Sequence, residues 1–200
     1  MMNYAGIQRP RTYVWLEDIN WNHQYFFIPH HCVLRPQSSS TKLLVVFDAS
    51  AKSSNGQSLT DILMTGPTIQ QDLVTTIYSF RLHKYVLSGD ISKMYRQCML
   101  DERDRRYQLI LWKGDSKELQ IYQLKTVTYG LSDAPFLAIR SLADAFASEF
   151  SIGASVLKSD LYVDDVLTGA DDLVQLDIKR RQLTEMIERT SLLGSKFHSN

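Results

Sequence analysis

The run Leu161-Tyr162-Val163-Asp164-Asp165-Val166-Leu167 sets two adjacent carboxylates inside an otherwise apolar stretch. Leu, Tyr and Val have the β-branched and aromatic character of a buried strand, and Val166-Leu167 returns to that character at once. The pattern predicts strand, Asp-Asp turn, strand. Two carboxylates on a tight hairpin beside a core repel each other unless a cation sits between them, which points to a divalent metal site. Asp is also a favoured turn residue, so an ordinary acidic hairpin explains the same stretch equally well.

A hairpin of this kind needs a core to stand on, and 200 residues at 44% hydrophobic and 22% charged supply one. That balance excludes disordered and fibrous classes and leaves one large domain, or a domain with a small lobe. No apolar run approaches the roughly 20 residues of a membrane span, and the first residues lack a signal-peptide core. The expectation is a soluble, intracellular chain with no membrane partner. Cys32 and Cys98 are too few for a disulfide framework and fit a reducing compartment. The 22 basic residues are matched by 22 acidic ones, so overall charge does not announce a nucleic-acid partner. The Arg103-Asp104-Arg105-Arg106 run and the Lys179-Arg180-Arg181 triplet are local candidates for a basic face, and each also reads as plain solvated surface.

Along the chain, the N-terminal stretch shows no clear period and reads as a weakly ordered lead-in. Tyr25 to Val33 is extended and interrupted by Pro29, and Lys42 to Asp48 is a strong strand, so the two predict a β-hairpin. His30-His31-Cys32 invites a zinc reading, but neighbouring strand side chains diverge and no second ligand pair follows at zinc spacing. Gly66-Pro67 opens a predicted helix with Ile69, Leu73, Ile77 and Phe80 on one stripe. Strands follow at Tyr85 to Ile91, Cys98 to Leu100, Tyr107 to Trp112 and Ile121 to Val127, with a turn at Gly114-Asp115. Ser132 or Asp133 caps a helix started by Pro135, whose apolar face is Phe136, Ile139, Ala143, Phe146 and Phe150. After the Asp-Asp hairpin, Asp171 or Asp172 caps a last helix facing the core with Leu173, Leu176, Leu183 and Ile187, and Gly194 ends it. The order implies an α+β fold, an antiparallel sheet with helices on one side.

Two-metal nucleotidyl transfer requires carboxylates from separate segments converging on one rim, and Asp90, at the end of its strand, joins Asp164 and Asp165 as candidates. Hard oxygen donors suit Mg²⁺. Strand alternation makes neighbours diverge, which assigns Asp164, with Asp90, the bridging role and Asp165 a supporting one.

At these residues the chain resembles a known family. Tyr162-Val163-Asp164-Asp165 is similar to the YxDD motif of reverse transcriptases, and Ser88-Gly89-Asp90-Ile91-Ser92-Lys93-Met94-Tyr95-Arg96-Gln97 to that family's first palm motif. "TKLLVVFDAS", "DISKMYRQ", "TVTYGLSDAPFLAIR" and "YVDDVLTGAD" resemble, in order and spacing, the BEL/Pao class of LTR retrotransposons. The resemblance covers about Tyr25 to Asn200. It implies a reverse-transcriptase palm with partial β-rich fingers over residues 25–200, behind an unassigned lead-in at 1–24, with thumb, connection and RNase H regions lying outside. It further implies RNA-directed DNA polymerase chemistry with two Mg²⁺ ions on Asp90, Asp164 and Asp165, a primed RNA or DNA template and a dNTP as partners. Such a domain normally belongs to a polyprotein with protease, RNase H and integrase. Tyr95 matches the aromatic gate that disfavours a 2′-hydroxyl, and Gly130 the motif approaching the nascent base pair. Tyr162, Lys196 and Phe197 fall to the primer, although the family usually has Trp at the position of Phe197.

Two departures weaken the likeness, the first being that the resemblance covers only the fingers and palm of the family. In the second, the family commonly has an arginine on the incoming triphosphate where this chain has Leu44, and an alkyl group cannot replace a guanidinium on phosphate. Arg35 or Lys42 are the candidates to compensate. A non-catalytic retroelement remnant that binds nucleic acid or a partner protein is therefore the alternative. A two-metal nuclease is a third reading, but it needs a further acidic ligand and gives Tyr95 and Gly130 no role.

Overall fold

The computed structural model describes residues 12–38, 42–91, 93–114, 118–189 and the backbone of 196–199. In chain order it holds β1 (Tyr13–Leu16), β2 (His30–Leu34), β3 (Leu43–Phe47), α1 (Leu59–Ile62), α2 (Leu73–Leu82), β4 (Tyr85–Asp90), β5 (Leu109–Trp112) and β6 (Gln120–Leu124). Then come α3 (Ala134–Phe146), α4 (Ser151–Ser159), β7 (Leu161–Tyr162), β8 (Asp165–Ala170), α5 (Leu173–Arg189) and β9 (Lys196–Ser199). Short 3₁₀ turns occupy Met94–Gln97 and Arg105–Tyr107. The strands form a four-stranded sheet β7-β8-β4-β9, a three-stranded sheet β1-β6-β5 and the hairpin β2-β3, all antiparallel. The expected α+β architecture with antiparallel sheets is present.

Burial sets the register of the central sheet. On β8, Val166, Thr168 and Ala170 are buried, and they pair with Gly89, Leu87 and Tyr85 of β4 on the same face. A slip of one residue would turn that set to the other side, so the core pins the pairing. Helix α5 covers this face with Leu176, Leu183, Met186 and Ile187. A fully buried Leu or Val of this kind contributes roughly 1.5–3 kcal/mol. Helix α4 lies close against α5: a Cβ on Gly153 would meet the Met186 sulfur at 2.6 Å, and the Gly153 N–H, an orphan of the first helical turn, donates to Gln182 Oε1 at 2.9 Å.

Several sequence expectations need correction. The lead-in contributes a strand, since Tyr13–Leu16 pairs with Ile121 to Leu124 across β6; its aromatic content suits a sheet edge although no period marks it. Helix α2 begins at Leu73, capped by Asp72, whose side chain accepts from Thr75 N–H; Gly66-Pro67 lies outside it, because Gly66 adopts φ +71 beneath the Phe136 ring. The long helix expected from Pro135 to Phe150 is two, with Phe150 capping α4 instead of lying on α3. Cys98 to Leu100 is reduced to a single bridge, Met99 with Thr126, and Tyr107 belongs to a 3₁₀ turn. Asp172 caps α5 through Gln175 N–H, but Leu173 stands exposed in the first turn. Helices are not confined to one side either: His83, closing α2, occupies the space beside Gly169, on the face opposite Thr168. The predicted turn at Asp115 and the stop at Gly194 lie outside the described residues.

Specific contacts join the β2-β3 hairpin to the rest, His30 stacking on Trp112 among them. The Asp48 N–H donates to the Pro29 carbonyl (2.8 Å), extending the hairpin, and Ile28 N–H donates to the Leu109 carbonyl (2.7 Å), which ties it to the three-stranded sheet. On the other side Gly130, at φ +88, packs so closely that a Cβ would lie 2.5 Å from the Phe47 carbonyl oxygen. Only glycine meets both demands. Gly130→Ala is expected to lower stability by about 1–3 kcal/mol, read as a reduced urea midpoint; an unchanged midpoint would show that β3 yields freely.

Candidate active site

Asp90 is the last residue of β4 and stands directly opposite Asp165, the first of β8. Because the pairing is antiparallel, the two carboxylates share one face and one end of the sheet. β7 and β8 pair as Tyr162 with Asp165, so the loop between them is Val163-Asp164 alone. Such two-residue loops require positive φ at one or both central positions. Val163 supplies it, at φ 59. For a β-branched residue this conformation costs on the order of 1–3 kcal/mol and persists only where the surroundings hold it. The Asp164 carbonyl accepts from Ile91 N–H at 2.8 Å, which ties the turn to the end of β4, and Gln70 Nε2 donates to the Val163 carbonyl at 3.4 Å.

The structure therefore brings Asp90, Asp164 and Asp165 together, and their electrostatics register it. Burial, then the charges of Asp164 and Asp165, push the Asp90 carboxyl above its ordinary range; burial and Asp164 do the same to Asp165. Among the described residues no group of three or more His, Cys, Asp or Glu side chains is drawn together as a closed metal-ligand cluster. The donor set still suits a hard cation, since it is all carboxylate oxygen and the Asp90 and Asp165 anions are destabilised where they stand. His30, His31 and Cys32 lie in β2 with His31 on the opposite face, and they form no such cluster.

Tyr95 is buried in the 3₁₀ turn after β4 and meets Tyr129 edge-on, ring centroids 4.9 Å apart at 77°. Burial first, then the Asp164 charge and Tyr129, raise the Tyr95 hydroxyl pKa. Tyr129 is raised by burial, opposed by the Arg96 guanidinium and reinforced by Asp164 and Asp90. Arg96 lies 6.0 Å from the Tyr129 ring centroid. Tyr129 and Arg96 were not among the residues the sequence singled out, although both sit beside motif positions, at Gly130 and Tyr95. Past them a cavity of about 200 Å³ runs between β2-β3 and the β1-β6-β5 sheet, walled by His30, Phe47, Trp112 and Tyr13 among others.

Other candidates stand further off. Arg35 and Lys42 face each other at the loop end of the hairpin, Arg35 N–H donating to the Lys42 carbonyl. Lys42 is five residues from Phe47, about 17 Å along an extended strand. Leu44 pairs with Val33, on the hairpin face opposite the one that Val45 and Phe47 turn to the cavity. Tyr162 is half-buried opposite Asp165. Lys196 and Phe197 belong to β9, where the backbone of Lys196 pairs with Asp90; their side chains lie outside the described residues.

No protein-family model matches the sequence, and no curated protein does. Solved structures match the fold. The protease-reverse transcriptase of prototype foamy virus superposes with a TM-score of 0.58 at 14% identity, over 84% of this chain and 20% of that one. The foamy viral protease-reverse transcriptase in complex with an RNA/DNA hybrid gives 0.60 at 12% identity over the same shares. A selenomethionine-labelled CSH mutant of the prototype foamy virus protein gives 0.60 at 13%, over 82% of this chain and 19% of that one. The fold is reverse-transcriptase-like. This chain spans about a fifth of the length of those structures. No helix among the described residues is long and apolar enough to cross a membrane.

Crowded carboxylates carry a pH signature. With pKa raised above 3.8 in the fold, Asp90 holds its proton more tightly folded than unfolded. Stability attached to it is then present at low pH and lost as pH rises through the raised value. Asp90→Asn is expected to raise the urea midpoint at pH 7, with the gain fading as pH falls through the raised value and gone below 3.8. An equal gain at both pH values would mean that charge is not its source.

Proposed function

We propose that this chain is the fingers and palm portion, residues 25–200, of an RNA-directed DNA polymerase of BEL/Pao retroelement type, part of a longer polyprotein. The observation that carries the reading is the convergence of Asp90, Asp164 and Asp165 on one sheet end beside the buried Tyr95 and the half-buried Tyr129 that meets it edge-on. Clustered carboxylates alone serve many chemistries, but an aromatic pair next to them has a use in a polymerase, as a wall under the incoming sugar. The reverse-transcriptase-like fold supports the same reading, and the RNA/DNA hybrid held by one fold neighbour makes a primed template the natural partner.

In this reading Asp90, Asp164 and Asp165 hold divalent cations, Mg²⁺ by donor type. When bound, the ions supply Lewis-acid stabilisation of the attacking and leaving oxygens in transfer of a nucleotidyl group from dNTP to a primer 3′-hydroxyl. The protein's own share is positioning. The pinned β4-β8 register fixes the carboxylates, the Tyr95 ring excludes a 2′-hydroxyl by shape, and Gly130 lets the chain after β6 approach β3. Tyr162, Lys196 and Phe197 fall to the primer side of this arrangement, and Arg35 or Lys42 to the triphosphate.

Leu44 favours a second reading, a remnant that folds and binds without turnover. The test is primer extension on an RNA template with Mg²⁺ and dNTPs, comparing the wild-type chain with Asp164→Asn. Extension that falls by 100-fold or more in the variant supports the polymerase. A folded wild-type chain that extends nothing supports the remnant, and template loss without dNTPs would indicate a nuclease. Leu44→Arg is expected to lower the KM for dNTP about tenfold, roughly the 1.5 kcal/mol of a charge-assisted contact; an unchanged KM would show that no guanidinium is needed there.

A further inference from the structure

The Val163-Asp164 turn stands on a very short base. β7 contributes only Leu161 and Tyr162, so two residue pairs join it to β8, and between them the chain carries a β-branched residue at positive φ. Strain of that kind relaxes unless neighbouring contacts over-determine it. At the base of the hairpin, away from the carboxylates, lies a polar cluster that the chemistry above does not use. Asp160 immediately precedes β7; its carbonyl accepts from Leu167 N–H at 2.8 Å, and its Oδ2 accepts from the buried Thr168 hydroxyl at 2.5 Å. Lys179, nearly two turns into α5, donates to Thr168 Oγ1 at 3.1 Å and to the Gly169 carbonyl at 2.7 Å. Its ammonium is 4.0 Å from Asp160 Oδ2, and both side chains are about four-fifths buried, at 21% and 24% exposure.

We propose that Asp160, Thr168 and Lys179 form a clamp of positioning residues that holds the strained Val163 turn and thereby sets the spacing of the carboxylates for a divalent cation. The inference rests on the reading of Asp90, Asp164 and Asp165 as cation ligands. The Thr168 hydroxyl is the centre of the relay: it accepts from the lysine and donates to the carboxylate, so each bond polarises the other. The lysine reaches from α5, which is anchored by Leu183 and Met186 in the core, so the clamp references both arms of the hairpin to a rigid helix. Hydrophobic burial cannot do this alone, because it is indifferent to small sliding of the two arms. Directed bonds to Asp160 on one arm and to Thr168 and Gly169 on the other are not.

The test is a double-mutant cycle read by Mn²⁺ titration, followed by electron paramagnetic resonance on the full chain, with primer extension alongside. Lys179→Met is expected to weaken Mn²⁺ binding five- to tenfold. Adding Val163→Gly, which removes the tendency of the turn to relax, is expected to restore affinity to within about twofold. A role in stability alone would lower the melting temperature but would not be rescued from the turn. Thr168→Val keeps the shape, removes the relay hydroxyl and is read in the same way should Lys179→Met not fold. Wild-type affinity in the folded single variants, or no rescue by Val163→Gly, overturns the clamp. Mn²⁺ coupling without any primer extension would overturn the polymerase reading and leave the clamp standing. Absence of Mn²⁺ binding by the wild-type chain overturns the clamp together with the site it serves.

Discussion

The antiparallel pairing of β4 with β8 is the constraint on which the rest of the structure depends. It is held by apolar burial on one face, where Leu87 and Val166 are fully enclosed and α5 closes over them with Leu183. The same pairing forces Asp90 opposite Asp165 at the other face, with Asp164 in the turn beyond. Like charges directly opposed in a sheet destabilise it by a fraction of a kcal/mol to about one, whereas each enclosed Leu or Val contributes roughly 1.5–3 kcal/mol. Burial wins, and the carboxylates are held where they would not gather unaided. The raised pKa values of Asp90 and Asp165 are the residual cost of that arrangement.

Around this centre the parts are joined by few and specific contacts. Gly130 against the Phe47 carbonyl and Ile28 against Leu109 connect the outlying strands to the central body. The Tyr95-Tyr129 pair adjoins the aromatic cavity, which Tyr129 and Arg96 help to line. Tyr129 feels the opposed charges of Arg96 and of Asp164 and Asp90, on top of its burial. The hairpin that bears Leu44, Arg35 and Lys42 has its basic residues at the end remote from Gly130.

Likeness to foamy-virus reverse-transcriptase structures at 12–14% identity is what burial patterning allows. A sheet and its covering helices require apolar residues at the right period, not particular ones. Identity at a site is a stricter matter, because a carboxylate or an aromatic ring cannot be exchanged for something of similar volume. For that reason the fold can be stated from the superposition, while function is argued from Asp90, Tyr95, Asp164 and Asp165.

Much of this was legible in the sequence because it is local. The Asp-Asp turn, the strand ending at Asp90, the glycine before α3 and the apolar stripe of α5 follow from period, turn chemistry and capping over a few neighbouring residues. What escaped was set by distance. Tyr13–Leu16 becomes a strand only because β6 offers an edge over a hundred residues later; Gly66 leaves the helix because Phe136 packs on it; the expected single helix breaks so that α4 can lie against α5. Tyr129 and Arg96 join the site by folding alone, since neither residue type at that spacing signals a role. The sequence by itself determined that two carboxylates would sit on a tight turn, because hydrophobic alternation and Asp chemistry act over single residues. Only the tertiary structure decided that Asp90 would face them, because register between strands 75 residues apart depends on which faces the core can bury.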